Sequence, residues 1–210
     1  MIETLLAVFA KYWEPGQVKT RLAASVGNER AAAYYRKFLA TTLRRFESVA
    51  DTRMVVFTPA NRRDDFTALA GPAWELMPQC DGDLGNRLRS FLEATLNRVA
   101  RRVVILGADS PTLPLEYVQE ALGRLATHSV VLGPSEDGGY YLLGASGAVP
   151  PIFDNMPWSD STLLEATLDR LCQRDVASHL LGTWYDVDDA ESLARYLAAE
   201  RADVGQAKQR

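Results

Sequence analysis

A loop near the N-terminus carries three cationic side chains within eleven residues. Lys11, Lys19 and Arg21 flank a Pro15-Gly16 turn that follows an apolar run. Lysine offers a point charge and arginine a forked set of donors, so a glycine-containing loop of this kind can wrap a diphosphate or triphosphate. The spacing matches neither the P-loop nor the Gly-x-Gly-x-x-Gly pattern, which excludes those two modes of nucleotide binding. Taken alone, the segment could also be a solvated basic loop.

Acidic side chains follow two later strand-like segments. Asp109 comes shortly after residues 102–107, the most strand-like run of the chain, and Asp186 and Asp188 are separated by one valine. On an extended segment, that alternation puts both carboxylates on one face. Carboxylates held together repel, and a divalent cation bound against phosphate oxygens is the usual reason to keep them close. The alternative is that Asp109 or Ser110 caps the helix that follows them, and that Asp188 or Asp189 caps the last helix.

Three further polar segments are candidates for completing a pocket. Residues 81–87 enter a helix through two glycines, whose backbone N–H groups could approach a base or a phosphate. Residues 134–139 place two acids at the tip of a hairpin, which could equally be a plain turn. Residues 158–162 lie at a helix start and could serve only as its cap. Ligands of open α/β sheets bind beyond the carboxyl ends of the strands, so the common placement of all these segments predicts a site.

Apolar runs of strand length alternate with helical stripes along the chain and must position these side chains. The runs predict strands at residues 4–10, 53–58, 74–77, 102–107, 129–133, 140–144 and 180–187. The stripes predict helices at residues 28–50, 64–70, 84–99, 115–125, 161–170 and 190–199, with a capping box of Thr162 and Glu165. This order predicts an α/β fold: a three-layer α/β/α sandwich with right-handed crossovers.

The sheet is predicted to be mostly parallel but mixed. Only a short turn separates strands 129–133 and 140–144, which favours an antiparallel hairpin. No internal repeat or linker is visible, so we expect one domain over residues 1–200. Residues 201–210 form a polar tail that is predicted to fray.

The composition excludes several classes of protein. The 210 residues are 47% hydrophobic and 24% charged, unlike collagenous, coiled-coil or disordered chains. A net charge of -4 and an isoelectric point near 5.3 argue against nucleic acid or an anionic membrane as a partner. No apolar stretch has the length of a membrane span or the flanks of a secretory signal. Two distant cysteines and two histidines lack the spacing of a zinc site and predict a cytoplasmic protein with reduced thiols.

Taken in order, the motifs resemble a bacterial family. It is the small family named as GT-A-type glycosyltransferases, formerly a domain of unknown function, within the nucleotide-diphospho-sugar transferase superfamily. The resemblance covers nearly the whole chain and rests on Phe9-Ala10-Lys11, Glu14-Pro15-Gly16-x-Val18-Lys19-Thr20-Arg21-Leu22, Gly82-Asp83-Leu84-Gly85, Gly107-x-Asp109-Ser110-Pro111-Thr112-Leu113-Pro114 and Gly133-Pro134-x-x-Asp137-Gly138-Gly139-Tyr140-Tyr141-Leu142-Leu143-Gly144. Lys19-x-Arg21-Leu22 and Asp137-Gly138-Gly139 also resemble guanylyltransferases that activate phospholactate. Asp186-Val187-Asp188 resembles the Asp-Ile-Asp of many nucleotidyltransferases.

The resemblance implies a GT-A sandwich that holds a nucleotide or nucleotide-sugar through the first loop, with Mg²⁺ or Mn²⁺ on its diphosphate. Carried over by position, Lys19 and Arg21 would contact phosphate and act in catalysis together with Asp137. The metal would be bound by Asp109 with Asp186 or Asp188. The remaining nucleotide contacts would be Ala10, Lys11, Gly16, Asp83, Gly85 and Arg87. A small-molecule acceptor would contact Glu136, Gly138, Gly139, Trp158 and Ser159.

Three functions are compatible with these residues. The first is metal-dependent transfer of a sugar from a nucleotide-sugar to an acceptor hydroxyl, with Asp137 or Glu136 as general base. The alternative is nucleotidyl transfer, in which a substrate phosphate attacks the α-phosphorus of a nucleoside triphosphate and pyrophosphate leaves without a protein base. The second alternative is a non-catalytic nucleotide-binding module.

The family resemblance ranks sugar transfer first. The cations of the first loop favour nucleotidyl transfer instead. Asp109-Ser110-Pro111 also departs from the Asp-x-Asp that many GT-A glycosyltransferases have at this place. The acceptor and the oligomeric state stay open at this point.

Overall fold

A computed structural model describes residues 1–207 and shows strands and helices alternating along the chain. The strands are β1 (Ile2–Lys11), β2 (Thr52–Thr58), β3 (Glu75–Pro78), β4 (Ala100–Gly107), β5 (Val130–Pro134), β6 (Tyr140–Ser146) and β7 (Ser178–Leu180). The helices are α1 (Thr20–Val26), α2 (Asn28–Arg45), α3 (Arg63–Ala70), α4 (Leu84–Thr95), α5 (Leu115–Arg124), α6 (Leu163–Gln173) and α7 (Ala190–Ala207). A short 3-10 helix, Ala60–Arg62, precedes α3.

The strands of the described residues form one mixed sheet in the order β3-β2-β1-β4-β6-β5-β7. Strands β3, β2, β1 and β4 are parallel neighbours, and β6 runs antiparallel to both β4 and β5. The predicted hairpin and the mostly parallel mixed sheet are therefore confirmed. Because β6 alone is reversed, the carboxyl ends of the other six strands meet at one edge of the sheet.

Helices cover both faces of the sheet. Alternate residues of a strand point to opposite faces, and on β1 Leu6 packs in a core with α2 and α5, whereas Leu5 packs in a second core with α4 and α6. Both leucines are fully buried. The predicted three-layer α/β/α sandwich is confirmed by this pair of cores. A third, smaller cluster joins α1, α2 and α7.

The structure differs from the predicted elements at several ends. Helix α1 was not predicted, and α2 ends at Arg45 rather than at residue 50. The strand predicted over residues 180–187 is wrong: β7 ends at Leu180, and Trp184 forms only an isolated bridge to Ser135. Beyond β7 the chain leaves the sheet edge to reach the loop after β4, where the Val187 N–H donates to the Asp109 carbonyl at 2.9 Å.

Two predictions about helix ends are also corrected. Thr162 is the N-cap of α6 but makes no capping bond to the helix; its hydroxyl donates to the Asp160 carboxylate, so the predicted capping box does not form. The last helix continues through part of the predicted tail to Ala207, and residues 208–210 lie outside the described part of the chain. None of the helices within residues 1–207 combines the length and apolarity that crossing a membrane requires.

Candidate active site

The first loop turns Lys19 into the molecule through its backbone. Lys19 is the N-cap of α1 and has left-handed φ and ψ of 49° and 46°. A non-glycine residue in this region costs about 1 to 3 kcal/mol and is found where the surroundings hold it in place. Here the surroundings are two acidic side chains, which the Lys19 ammonium reaches from opposite parts of the sequence.

A buried ammonium group joins the two acidic segments that the sequence predicted to converge. The Lys19 Nζ contacts the Asp109 carboxylate and lies 2.6 Å from the Asp188 Oδ1, while its side chain is only 3% exposed. Arg21 Nη2 donates to the other Asp188 oxygen at 2.7 Å from a position that is 66% exposed. Burial opposes the charge on Lys19, but the attraction of Asp109 and Asp188 outweighs it and raises the pKa of Lys19 above 10.5. Lys19 is therefore a fixed positive charge at neutral pH.

Asp186 lies beside this ion cluster and has a different environment. The Ser110 hydroxyl donates to its carboxylate, and Val187 between the two acids is fully buried. Burial and the negative charge of Asp109 raise the pKa of Asp186 from 3.8 to about 7. Burial also opposes the charge on Asp188, but the attraction of Lys19 and Arg21 outweighs burial and lowers the pKa of Asp188. Asp186 and Asp188 are not on a strand. Asp188 contacts the cations Lys19 and Arg21, whereas Asp186 accepts a hydrogen bond from the Ser110 hydroxyl.

A cavity of about 690 Å³ opens beside Lys19 at the carboxyl edge of the sheet. Its size suits a nucleotide-sized ligand. The predicted site residues that line it are Ala10, Lys11, Lys19, Asp83, Arg87, Asp109, Asp188 and Ser159. They come from the ends of β1 and β4, the starts of α1 and α4, the loop before α6 and the last acidic segment, so residues far apart in sequence share one wall.

Other predicted residues lie outside this cavity and have structural contacts. Gly85 is buried under Trp158, where any side chain would overlap the indole ring. Gly138 has a φ of +89° and lies against the backbone of Ser161, so a side chain is excluded there as well. Gly16 has a φ of +79° in the turn of the first loop. These glycines shape the walls, and their predicted ligand contacts stay predictions.

Asp83 and Asp189 make helix-capping bonds, whereas Asp109 does not. Asp83 accepts a bond of 2.8 Å from the Asn86 N–H and caps α4, although it also lines the cavity. Asp189 accepts from the Ser192 N–H at 2.9 Å in the first turn of α7. Asp109 caps no helix, because the N-cap of α5 is Pro114.

A second, smaller cavity of about 300 Å³ lies on the other side of Asp188. Arg21, Glu136, Asp137, Asp186 and Asp188 are among its lining residues. The Asp137 carboxylate accepts bonds from the Ser135 hydroxyl and the Gly139 N–H within its own turn. Glu136 is paired with Arg195 at 2.9 Å, and the Arg195 guanidinium stacks on the Tyr185 ring at 3.7 Å. Both acids proposed as bases therefore lie away from the Lys19 cavity.

Sequence reasoning gave no role to four polar side chains that line the larger cavity, which are Gln17, Thr20, Tyr35 and Gln79. Gln79 follows β3 directly, and its position after a strand was a usable signal. Tyr35 belongs to the apolar stripe of α2 that was assigned to the core, yet its hydroxyl accepts a bond of 3.0 Å from the Lys11 N–H. Burial and the negative charge of Asp109 raise the pKa of Tyr35, so the phenol stays neutral.

The carboxylates of Asp109 and Asp188 can hold a divalent cation only if water and substrate phosphates supply its other ligands. Within the residues that the structure describes, no group of three or more acidic, histidine or cysteine side chains is arranged as a metal cage. Mg²⁺ usually keeps several waters and binds through one or two carboxylates plus substrate phosphates. Asp109 and Asp188, which share the Lys19 ammonium, fit that donor set.

Solved structures place the fold in a class. The chain has a TM-score of 0.85 and 34% identity to a candidate nucleotide-diphospho-sugar transferase from Desulfovibrio desulfuricans G20, over 90% of this chain and 84% of that one. CMP:2-keto-3-deoxy-manno-octonic acid synthetase complexed with CTP matches with a TM-score of 0.64 and 12% identity over 96% and 99% of the chains. Rv0371C complexed with manganese, from Mycobacterium tuberculosis H37Rv, matches with 0.57 and 15% over 92% and 97%. The protein has the fold of the nucleotide-diphospho-sugar transferases, as the sequence motifs predicted.

The sequence comparison identifies the family. Residues 42–160 match the family described as "Uncharacterized protein conserved in bacteria (DUF2064)", and the chain belongs to this family. A 3-phospho-D-glycerate guanylyltransferase of Phenylobacterium zucineum (strain HLK1) is 34% identical over 137 residues, which are 63% of this chain. The chain spans 62% of the length of that relative. The relatives with 34% identity are thus both named as transferases, the class that the sequence predicted.

Proposed function

We propose that this protein is a nucleotidyltransferase that joins a nucleoside monophosphate unit to a phosphorylated small molecule and releases pyrophosphate. The observation that carries the proposal is the buried Lys19 ammonium, which contacts Asp109 and Asp188 on the wall of the larger cavity. The proposal puts nucleotidyl transfer ahead of sugar transfer, whereas the family resemblance ranked sugar transfer first. The name of the Phenylobacterium relative supports the same order.

The positions of the acids favour nucleotidyl transfer over sugar transfer. Sugar transfer to a hydroxyl needs a base that reaches the acceptor proton within hydrogen-bond distance. Asp137 is held in its own turn and Glu136 is held by Arg195, and neither lines the cavity that contains Lys19. An acceptor phosphate is already anionic and needs no base. Nucleotidyl transfer is therefore compatible with the positions of Glu136 and Asp137 outside the larger cavity.

The reaction proceeds by in-line displacement at phosphorus. An oxygen of the acceptor phosphate forms a bond to the α-phosphorus, and the bond from that phosphorus to the oxygen bridging to the β-phosphate breaks. Pyrophosphate leaves with the bonding electron pair. Lys19 and Lys11, which line one cavity, neutralise the charge that develops on the phosphate oxygens without reorganising.

Asp109 and Asp188 are the residues that would hold a divalent cation in this proposal. When bound, Mg²⁺ or Mn²⁺ would supply charge neutralisation at the nucleotide phosphates. Lys19 holds the two carboxylates in place before any cation arrives, and Ser110 holds the neighbouring Asp186.

The acceptor is proposed to enter from the second cavity. Asp188 lines both cavities, and Arg21 extends from Asp188 into the second one, where its exposed guanidinium is available to an anionic acceptor. The relative's name makes 3-phospho-D-glycerate the first acceptor to test. Because the reaction consumes a nucleoside triphosphate, we propose that it takes place in the cytoplasm.

The proposal is tested by measuring pyrophosphate release with each of the four nucleoside triphosphates, Mg²⁺ and a set of phosphorylated acids. Wild type should release pyrophosphate only when both substrates are present. The Lys19→Met variant should lose this activity, whereas Lys37→Met, which alters an exposed lysine paired with Glu200, should retain it. Turnover of a nucleotide-sugar without any turnover of a triphosphate would restore sugar transfer as the function.

A further inference from the structure

A third cavity, of about 780 Å³, lies outside the candidate active site, between the C-terminal half of α2 and the middle of α7. We call it the arginine cavity, because its lining includes Arg44 and Arg45 of α2 and Arg201 of α7. It shares no described lining residue with either of the two cavities at Asp188. A ligand bound in the arginine cavity would therefore occupy a site of its own.

The arginine cavity is cationic although the chain carries a net charge of -4. Lys37 also lines it, but Lys37 is paired with Glu200 at 2.8 Å. Glu200 is the only acid among the described lining residues, so the three arginines remain as an excess of positive charge. The helix dipole favours cations at the end of α2, but it does not explain an arginine from α7 in the same lining. A cleft lined by charges of one sign concentrates ions of the opposite sign.

Apolar side chains line the same cavity beside the arginines. They include Tyr196, which is buried, and Leu197, which is half-buried, both on α7. The planar fork of an arginine matches the oxygen atoms of a phosphate group. Apolar walls with a few polar groups are typical of sites that take an organic molecule. The combination favours an organic phosphate, with a carbon body, over a free inorganic ion.

Arg45 connects the arginine cavity with the loop that carries Asp109. Its Nη1 donates to the Leu113 carbonyl at 2.9 Å and to the Thr112 carbonyl at 3.3 Å. Arginine has five N–H donors, and among the bonds of the described residues Arg45 uses only those of Nη1. Its Nε and Nη2 donors therefore remain for an anion, which Arg45 can bind without releasing the loop.

The loop depends on contacts of this kind, because residues 108–114 lie between β4 and α5 and belong to neither. From the last acidic segment, the Val187 N–H donates to the Asp109 carbonyl and the Trp184 Nε1 donates to the Thr112 hydroxyl at 3.2 Å. Arg45 holds the same loop from the side of the arginine cavity. Restricting the motion of the Arg45 side chain should therefore restrict the loop.

We propose that the arginine cavity binds an organic phosphate and that Arg45 couples this binding to the loop that carries Asp109. The cavity is separate from the active site, so the inference does not rest on the proposed function. Arg44 and Arg45 bind the phosphate group, and the carbon body packs on Tyr196. Because Arg45 holds the ligand and the loop together, binding stabilises the loop, and by linkage a stabilised loop strengthens binding.

The experiment measures hydrogen–deuterium exchange of the full chain by mass spectrometry, with neither nucleotide nor divalent cation present. The probe is phenyl phosphate, which combines one phosphate group with one apolar ring. At about ten times its dissociation constant, amide exchange should slow by up to about tenfold in the peptides that form the site and in the loop. These peptides cover residues 41–45, 196–201 and 108–114. Peptides over residues 11–19 of the first loop should be unchanged.

Variants separate binding from coupling, with dissociation constants measured by titration calorimetry. Arg44→Gln should weaken phenyl phosphate binding by about tenfold or more, because a hydrogen bond between charged groups is lost. Arg45→Lys keeps the charge but loses the fork, so the probe should still protect α2 and α7 but no longer the loop. Arg30→Gln is the matched control on α2, because Arg30 is exposed and does not line the cavity. Thermal unfolding of each variant checks that it is folded.

Each outcome decides the inference. Protection confined to residues 11–21 and 184–189 would place the probe at Lys19 and Arg21 and overturn the site. Equal losses of affinity in Arg44→Gln and Arg30→Gln would also overturn it, and so would the absence of binding. Inorganic phosphate that binds as tightly as phenyl phosphate would overturn the contact with Tyr196. Protection of α2 and α7 without the loop, in the wild type, would overturn the coupling. None of these results bears on nucleotidyl transfer, which pyrophosphate release tests separately.

Discussion

The two cavities that meet at Asp188 differ in how their charges are held. One Asp188 oxygen contacts Lys19, whose side chain is 3% exposed, and the other contacts Arg21, whose side chain is 66% exposed. Exposed pairs contribute little because water screens them, whereas breaking a buried pair leaves an uncompensated charge. The ammonium at the larger cavity is thus buried, whereas the guanidinium groups of Arg21 and Arg195 at the smaller cavity are exposed to water.

This difference in exposure indicates different roles for the two cavities. Nucleotidyl transfer requires fixed positive charge where the phosphate charge develops, and only the larger cavity contains a buried cation among its described lining residues. The described residues that line the smaller cavity include six acidic side chains, so binding of an anionic acceptor there would depend on Arg21 and Arg195.

The largest effect is expected for Lys19→Met. Losing a fixed charge at the developing phosphate charge should lower kcat by about 10²- to 10³-fold. The variant should also lose about 1 to 3 kcal/mol of unfolding free energy, because the charged hydrogen bond from the buried ammonium to Asp188 is lost. Steady-state rates and urea unfolding measure the two effects. Retention of more than a third of the wild-type rate would argue against different roles for the two cavities.

Gly85→Ala tests the wall of the larger cavity. A methyl group there overlaps the Trp158 indole, and overpacking should cost about 1 to 3 kcal/mol of unfolding free energy. Gly123→Ala is the matched control in α5, because no atom lies within 4 Å of its added methyl group. That control should gain about 0.5 to 1 kcal/mol. Equal stability of the two variants, measured by urea unfolding, would show that Trp158 does not pack on Gly85.

Arg21→Ala tests the smaller cavity. Its exposed pair with Asp188 should contribute less than about 1 kcal/mol to stability. If Arg21 binds the acceptor, KM for the acceptor should rise about tenfold, which is the loss of one charged hydrogen bond of about 1.5 kcal/mol. KM for the nucleoside triphosphate should stay the same. A rise confined to the nucleotide KM would move Arg21 to the nucleotide phosphates.

The smallest effect is expected for Glu136→Gln and Asp137→Asn. Nucleotidyl transfer needs no base at these positions, so the rate should stay within about threefold of wild type, whereas removing a general base costs about 10²- to 10⁴-fold. Initial rates over a range of pH values measure this. A hundredfold loss in either variant would support sugar transfer by general base catalysis.

The sequence predicted the order of elements and the charged ends of the strands for a physical reason. Buried parallel strands are continuous apolar runs, and helices have a period of 3.6 residues, so both are visible without tertiary information. Lys19 and Asp109 were found because they follow such runs. The approach of Lys19 to Asp109 follows from the parallel pairing of β1 with β4, whereas Asp188 reaches Lys19 through the segment that leaves the sheet after β7.

The features that sequence reasoning missed depend on tertiary contacts. Helix α1 begins at Thr20 after an N-cap, Lys19, that makes no side-chain capping bond, and its apolar residues pack on α2 and α7, so no local signal marked it. Tyr35 lies in an apolar stripe, and only the fold shows that its hydroxyl meets the first loop. The segment 180–187 has the pattern of a strand but leaves the sheet, because Val187 bonds to the loop after β4.

A crystal structure with a nonhydrolysable α,β-methylene analogue of a nucleoside triphosphate and Mg²⁺ would show which cavity holds the phosphates. We expect the phosphates to lie within hydrogen-bond distance of the Lys19 Nζ in the larger cavity. Phosphates bound in the smaller cavity, at Arg21 and Arg195 and away from Lys19, would contradict it.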